Sequence, residues 1–574
     1  MDKVILGINL NHADSSACII INGKLIAAVE EERFNRIKHW AGFPEKSISF
    51  CLQEAGVDFS MIDDVAINTN PLSNVSHKIF YFLKNYITGK KKLEIFKRYK
   101  NKFNLKKKLE KKFGINNKLK LNFIDHHISH ISSAFYPSEF QNSLAISIDG
   151  FGDFSSLVIA ECLDQKIKIK KKMLFPNSLG VFYESMTQLA GFKNYGEEYK
   201  LMGLSAFGNP KYYDVLKKNC FINDDIYKLN LDLFEFHKKN FSYNFEGQPN
   251  QKFLLNKKIY EIFNDNINYS TNDKDFAKDI ASSTQKIFEE ALFKIISSYK
   301  NKNENLVLSG GCALNSLANG KLAESKIFKN IYVPFCPGDN GGSIGAALYL
   351  HKNKYTEIKT TNLQNPYLGK KYNNEEILNT LEKYKNKIDY KILNNDNDLN
   401  DLVCKKLLNE NIIGWFQGRM EFGPRALGNR SIISSPIGPN IKNLINSKIK
   451  LRESFRPFAP SILEEKVLDW FDNKINSNYM SFVSKIRNDK KSLIPAVTHI
   501  DGTGRLQTVN PKQNKKFYNL IKKFYEISNV PILLNTSFNE NEPIVMSPEN
   551  ALECFLRTEM DYLVVNNFFI NKKS

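Results

Sequence analysis

His126 and His130 stand four residues apart in the run Ile124-Asp125-His126-His127-Ile128-Ser129-His130, and Asp149-Gly150 closes an apolar strand shortly after them. Residues i and i+4 share one face of a helix, so two imidazoles at this spacing converge on one ion while a strand-end carboxylate completes the set. Imidazole with carboxylate suits iron, zinc or manganese. His127 faces about 100° away from its neighbours on a helix and reads as a supporting or structural residue. A second constellation lies near the C-terminus. Gly418-Arg419-Met420-Glu421-Phe422-Gly423-Pro424-Arg425-Ala426-Leu427-Gly428-Asn429-Arg430 is followed by Lys448, Lys450, Arg452 and Arg456, then by His499, Arg505 and Leu534-Asn535-Thr536-Ser537-Phe538-Asn539. Arginines framed by Gly, Pro and Phe are held in place, and fixed guanidinium forks bind phosphate or carboxylate bidentately. Some of them are expected to tie loops to carboxylates instead.

The elements that must position these residues repeat. Val4 to Leu10, Ala17 to Ile21 and Lys24 to Val29 read as three strands, the last two joined by an Asn22-Gly23 hairpin turn. Leu144 to Asp149, Ser156 to Cys162 and Lys166 to Lys172 repeat the pattern, with Asp164-Gln165 as the turn. Two β-β-β openings, each followed by helical segments, are the signature of the duplicated actin-like ATPase architecture, with nucleotide between its halves. Glycine turns fall where that cleft needs them, at Ser309-Gly310-Gly311-Cys312-Ala313-Leu314-Asn315 and at Pro337-Gly338-Asp339-Asn340-Gly341-Gly342. The second leaves a strand (331 to 335) and opens a helix, so its amides and dipole favour an anion.

A chain of 574 residues is too long for one core. A Lys/Thr/Asn-rich stretch without apolar period, 351 to 366, reads as a linker or exposed turn and divides it into about 1–355 and 366–574. Eight scattered cysteines without a C-x-x-C pair exclude a zinc ribbon or disulfide scaffold and indicate a reducing compartment. No run approaches twenty apolar residues, so the expectation is a cytoplasmic protein with no membrane span. The net charge of +20 is concentrated between Lys84 and Lys120, where fifteen Lys and Arg face only Glu94 and Glu110. Phe96, Tyr99 and Phe103, then Leu105, Leu109 and Phe113, recur at helical spacing there, giving one or two amphipathic helices with a solvated basic face. The competing reading is a patch that steers an anionic acceptor.

With these motifs the chain resembles the O-carbamoyltransferases of the nodulation-factor, tobramycin and cephamycin type. The resemblance spans residues 3 to 570 and rests on Val29-Glu30-Glu31-Glu32-Arg33-Phe34-Asn35-Arg36-Ile37-Lys38-His39, the His126 to Phe135 run, Tyr195 to Leu204, Gly310 to Asn315 and the Arg425 and Arg456 motifs. Many relatives carry His and Asp adjacent in the first motif, whereas Ala13 separates His12 from Asp14 here. The resemblance implies an RNase H-like, threonylcarbamoyl-transferase-type N-terminal domain and a YrdC-like C-terminal domain. The latter would convert carbamoyl phosphate and ATP (with Mg²⁺) to carbamoyladenylate; the former would pass the carbamoyl group to a hydroxylated small molecule or sugar beside Fe(II) or another divalent transition metal. Metal ligands then fall on His126, His130, Asp149 and Asp339, and carbamoyl-phosphate contacts on Arg425, Lys450, Arg505 and Asn535. Nucleotide-side contacts fall on Lys200, Gly310, Gly311, Asn315, Gly338 and Arg456. For a base on the acceptor hydroxyl, His12, Asp14 and His39 are the candidates, each equally readable as a substrate anchor. A tRNA threonylcarbamoyl-type enzyme and an actin-like sugar kinase remain as alternatives. Nucleic acid is not an expected partner, a homodimer is compatible, and the acceptor stays open.

Overall fold

The structure is a computed structural model that describes residues 2–84, 104–223, 225–238, 246–249, 252–263, 274–299 and 303–573. Val4–Asn9 (β1), Ser16–Ile21 (β2) and Lys24–Glu30 (β3) form an antiparallel meander. Asn22 and Gly23 both take positive φ, 48° and 77°, which gives the turn the twist of its flanking strands. Asp64–Ile67 (β4) and Lys120–Phe123 (β5) add in parallel, giving the order β3-β2-β1-β4-β5.

The second half repeats this. Asn142–Gly152 (β6), Ser155–Leu163 (β7) and Lys166–Leu174 (β8) are the meander, with Asp164 and Gln165 at φ 47° and 67° in the turn. After a short pair, Phe221–Ile222 (β9) and Asp225–Leu229 (β10), the strands Asn305–Ser309 (β11) and Asn330–Tyr332 (β12) add in parallel, and the order is β12-β11-β6-β7-β8. Read from the hairpin edge, the two sheets have one topology, so the duplicated actin-like α/β architecture is present. β12 stops at Tyr332, three residues short of the expected Phe335. The halves are joined by the buried helix His126–Ser138 lying against Gly342–Lys354. A Cβ on Gly345 would fall 1.8 Å from Ser129 O, so the two backbones touch there.

The C-terminal part is built on a third, mixed sheet. Its strands are Ile388–Ile392 (β13), Ile413–Phe416 (β14), Arg430–Ser434 (β15), Ala459–Leu463 (β16), Phe482–Lys485 (β17), Thr503–Val509 (β18), Ile532–Ser537 (β19), Tyr562–Val565 (β20) and Phe568–Lys572 (β21), ordered β13-β21-β20-β14-β15-β19-β16-β18-β17. The stretch between the two parts is laid along an edge and is no free linker. Thr361 N donates to Gly23 O at 3.0 Å and Ala28 N to Leu368 O at 3.3 Å, which covers the open side of β3. Tyr367, Leu368, Phe422, Leu427 and Ala459 pack in one cluster with Ile5, Cys18, Ala134 and Ala347, so the two parts share apolar core.

In the basic segment, Leu105–Phe113 is a helix with Leu105 and Leu109 buried. Lys112 pairs with Glu45 at 2.9 Å and Lys108 lies 4.3 Å over Phe43. Phe96, Tyr99 and Phe103 lie outside the described residues.

Candidate active site

The helix His126–Ser138 starts on Asp125, whose carboxylate accepts from the amides of His127 and Ile128. This cap fixes where the first turn begins and therefore which residues share its face. His126 Nε2 and His130 Nε2 end 3.0 Å apart. Asp149 Oδ2 lies 3.3 Å from the first and 2.9 Å from the second, and Asp339 Oδ1 lies 3.4 Å from each. Asp149 reaches this point where β6 breaks its register with β7 between Ile148 and Gly152. Gly152 is needed beside it, because a Cβ there would fall 1.9 Å from His126 Cδ2.

Those separations are the edges of a tetrahedron or octahedron with bonds of about 2.1 Å, the length expected for imidazole and carboxylate on a divalent transition metal. The donor chemistry agrees. Two facing Nε2 atoms share at most one proton, and both Nδ1 atoms are buried with no hydrogen-bond partner. Burial opposes charge on every member. Even so, Asp149 and Asp339 carry His130 up to about 9, and the imidazoles hold Asp149 well below the usual carboxylate range. Burial and the neighbouring Asp149 push Asp339 up. A divalent cation at the centre would satisfy all four at once. His127 does not join them: its Nδ1 meets Ser147 Oγ at 2.8 Å, and burial lowers it to about 3.

The loop after β1 lies against this cluster, with the His12 ring centroid 5.2 Å from that of His126. Asp14 Oδ1 meets His39 Nδ1 at 2.8 Å. Asn11, Asp14 and His39 all have left-handed backbone, at φ 58°, 55° and 54°, a conformation that persists in non-glycine residues only where the surroundings over-determine it. Burial opposes the His39 charge, but Asp14 outweighs it and raises the imidazole to about 9. Glu32 comes close enough to suggest a second ligand set. Its oxygens are already engaged, Oε1 by Arg33 NH1 at 2.9 Å and Oε2 by the His39 amide at 2.8 Å. Its neighbour Glu31 accepts from Lys46 N, Ser47 N and Ser47 Oγ and so holds the start of the helix Glu45–Ala55.

The C-terminal arginines divide into two kinds. Arg419 donates to the carbonyls of Gly369 and Leu368, and Arg430 to those of Gln417, Gly418 and Lys370 with its guanidinium 3.5 Å over Phe416. Glu421 Oε1 accepts the amides of Leu427, Asn429 and Arg430. These groups shape the loop that carries Arg425. Among the described residues, neither the Arg425 nor the Arg505 side chain has a hydrogen bond or ion pair, and Arg505 Nε is buried without an acceptor. Burial lowers Arg425 to about 10, with Arg456 adding repulsion. Burial and Arg456 lower Arg452 to about 9, and burial with Arg425, Arg452 and Arg456 puts Arg505 well below its usual value. Arg456 stacks 4.7 Å over Tyr199 and Arg452 4.8 Å over Phe458. Glu453, the carboxylate beside them, is shared between Lys200 at 2.9 Å and Arg456 at 3.7 Å. Guanidiniums crowded this way with so little negative charge are chemically suited to holding an anion.

Against that geometry, residues 4–348 match the carbamoyltransferase N-terminus model and residues 404–572 the carbamoyltransferase C-terminus model. The chain belongs to the carbamoyltransferase family. It is similar to an uncharacterised protein of Synechocystis sp., at 37% identity over 99% of this chain and 96% of the relative. It is also similar to nodulation protein NolNO of Sinorhizobium fredii, at 34% identity over 98% of this chain and 79% of the relative. Among solved structures, HypF of T. kodakarensis aligns over 63% of this chain and 49% of its own at 13% identity and a TM-score of 0.32. So loose an alignment carries no argument, and the duplicated fold rests on the strand order itself.

In this carbamoyltransferase the remaining expected residues are spread between ligand space and scaffold. Gly311 faces Asp149 Oδ1, which a Cβ would approach to 3.1 Å; at Gly338 the nearest atom to a Cβ would be Asn340 Oδ1 at 3.8 Å. Gly310, at φ 84°, lies so close to β6 that a Cβ would sit 2.2 Å from Ile148 O. Asn315 caps the helix Ser316–Glu324 and exchanges hydrogen bonds with Gln285. Lys450 donates to Asn539 O and Oδ1, both at 2.7 Å, and to Ser537 O, so its ammonium is held by the 537–539 loop. Asn535 Nδ2 donates to Gln507 Oε1 at 2.9 Å while its Oδ1 is buried without a donor. Sequence reasoning missed Glu30 and Arg33, because a Glu-Glu-Glu-Arg run reads as solvated surface; both are buried, and their i,i+3 spacing is the one hint of a pair. No helix among the described residues is long and apolar enough to cross a membrane.

Proposed function

We propose that the protein is an ATP-dependent O-carbamoyltransferase working through two sites. The observation that carries this is the presence of a four-donor imidazole–carboxylate cluster together with the guanidiniums of Arg425 and Arg505, which no carboxylate pairs among the described residues. At the arginines, water attacks the carbonyl carbon of carbamoyl phosphate and displaces phosphate to give carbamate, whose oxygen then attacks the α-phosphorus of ATP and displaces pyrophosphate, giving carbamoyladenylate. Arg425 and Arg505 bind the leaving phosphate and offset its charge as it departs. Arg452 and Arg456, stacked on rings, hold their planes for the same anions. Beside Arg505 an apolar cavity lined by Met202, Phe207, Leu317, Phe455 and Ile500 offers a purine a surface. Lys450 positions the Ser537–Asn539 loop, and Asn535 offers its free oxygen to the carbamoyl amide.

The adenylate then meets an alcohol at the cleft of the duplicated domain. His126, His130, Asp149 and Asp339 would hold a divalent transition metal, of which iron is the choice we favour, and such an ion polarises the carbamoyl carbonyl and offsets phosphate charge. The glycine backbones at 311 and 338 let the nucleotide approach, and Gly310 seats that turn against β6. His12 and the His39–Asp14 pair line the acceptor side and orient the hydroxyl, whose oxygen bonds the carbamoyl carbon as the bond from that carbon to the phosphate oxygen of AMP breaks, its proton passing to the departing phosphate. The boundary at 355 to 366 and a YrdC-like nature for the C-terminal part belong to this reading. A sugar kinase is disfavoured because Mg²⁺ prefers oxygen ligands to buried imidazoles. The test is product identification: enzyme, ATP and ¹³C-carbamoyl phosphate incubated with pools of alcohols and sugars, read by mass spectrometry. A labelled carbamate ester with stoichiometric AMP supports the assignment; ADP and a phosphorylated sugar would replace it with the kinase.

A further inference from the structure

β3 ends on Glu30, and its side chain joins three segments at one oxygen. Glu30 Oε1 accepts from the Gly423 amide at 2.7 Å, from Asn340 Nδ2 at 3.1 Å and from Arg33 NH2 at 3.5 Å. Arg33 adds a parallel link, since the same NH2 donates to Gly423 O at 2.9 Å. Both residues are buried, Glu30 at 2% and Arg33 at 3% exposure, so neither meets solvent. Asn340 follows Asp339 directly, and Gly423 precedes Arg425 by two residues. A path therefore runs from the metal-cluster carboxylate to an unpaired guanidinium through Asp339-Asn340, Glu30 and Gly423-Pro424-Arg425.

Both ends of this strut are stiff. Asn340 O accepts from Ser16 Oγ at 2.8 Å and its Oδ1 from Gly341 N at 2.9 Å. Gly423 sits at φ 114° with Phe335 O so near that a Cβ would fall 2.4 Å from it, so this backbone cannot shift without moving its neighbour. A displacement of the Asp339 loop is thus transmitted to the Arg425 loop instead of being absorbed.

We propose that Glu30, assisted by Arg33, is a positioning residue that couples occupancy of the His/Asp cluster to anion affinity at the arginines. The inference rests on the two-site reading above. An ion that fixes Asp339 fixes Asn340, and through Glu30 holds Gly423 and Arg425 in the binding geometry. Linkage makes the effect reciprocal, so bound anion tightens the ion by the same factor.

The full-length protein, stripped of metal, is titrated with inorganic phosphate by calorimetry with and without saturating Mn²⁺, and with Mn²⁺ with and without phosphate. Wild type should bind phosphate at least about five-fold more tightly with the ion present, the lower end of usual coupling factors, and Mn²⁺ should gain equally from phosphate. Glu30→Gln should bind each ligand alone as wild type does and bring the factor close to one. Asn340→Ala, which removes the arm to Glu30 together with the Gly341 amide contact, should do the same, and it decides the matter should Glu30→Gln not fold. Undiminished coupling in a folded Asn340→Ala protein overturns the inference, as does independent binding of the two ligands to wild type. A wild type that binds neither ligand overturns the site reading along with it.

Discussion

Replacing Arg425 by Met should make the protein more stable and less active. Burial, with repulsion from Arg456, brings Arg425 from 12.5 down to about 10. At about 1.4 kcal/mol per unit, that is roughly 3 kcal/mol against the charged form in the folded state. The guanidinium is charged in folded and unfolded protein alike at neutral pH, so the cost falls on folding and disappears with the charge. The side chain is partly exposed, and screening by water reduces the expected gain to about 1–2 kcal/mol. Urea unfolding in phosphate-free buffer should therefore show a higher midpoint for Arg425→Met than for wild type. Added phosphate should reverse the order: a ligand at a hundred times its Kd stabilises its site by about 2.7 kcal/mol, and the variant should forgo most of this. Carbamoyl-phosphate-dependent pyrophosphate release should fall by about a hundred-fold or more, the usual cost of one charge-stabilising donor. A variant less stable than wild type without phosphate, in a protein indifferent to phosphate, would show that the arginines are not an uncompensated cation cluster.

Two further outcomes follow from the geometry. The His39–Asp14 pair, with the imidazole raised from 6.5 to about 9, should contribute stability that is complete below about pH 6.5 and lost as pH rises to about 9. With the His39 side chain 27% exposed, about 1–3 kcal/mol is expected, and Asp14→Asn should flatten that slope in urea unfolding across this range. Joint replacement of Lys106, Lys107, Lys108, Lys111 and Lys112 by Gln should change stability by less than about 1 kcal/mol, because exposed pairs contribute little. The same variant should leave kinetics and their salt dependence unchanged, whereas a loss of acceptor affinity would establish steering by the basic helix.

The meanders were legible because alternation and two-residue turns act locally. Asn22-Gly23 and Asp164-Gln165 prescribe their hairpins without reference to the rest of the chain. His126 and His130 were legible for the same reason, as helical spacing alone places them on one face. Asp149 was legible too, as a carboxylate at the end of an apolar strand, whereas Asp339 lies in the turn Asp339–Gly341 beyond β12, and only the family motif linked it to the histidines. What could not be read is the division of like residues among unlike tasks. Arg419 and Arg430 spend their donors on carbonyls while Arg425 and Arg505 do not, a distinction made by loop paths that close through Glu421 and Lys370. Glu30, Glu31 and Glu32 are adjacent and chemically identical, yet one bridges two loops, one caps a helix and one holds Arg33 and His39. The 351–366 stretch looked like a linker because edge pairing by backbone needs no apolar pattern.

The central claim is that activation and transfer occur at different clusters, and one paired measurement tests it. Metal content, pyrophosphate release and transfer from supplied carbamoyladenylate are determined together for His126→Ala and Arg505→Ala. The account predicts that His126→Ala loses its metal and its transfer while still releasing pyrophosphate in a carbamoyl-phosphate-dependent manner. Arg505→Ala should keep the metal and transfer from the adenylate but release no pyrophosphate. Full metal occupancy in His126→Ala, or loss of both half-reactions in either folded variant, would contradict it.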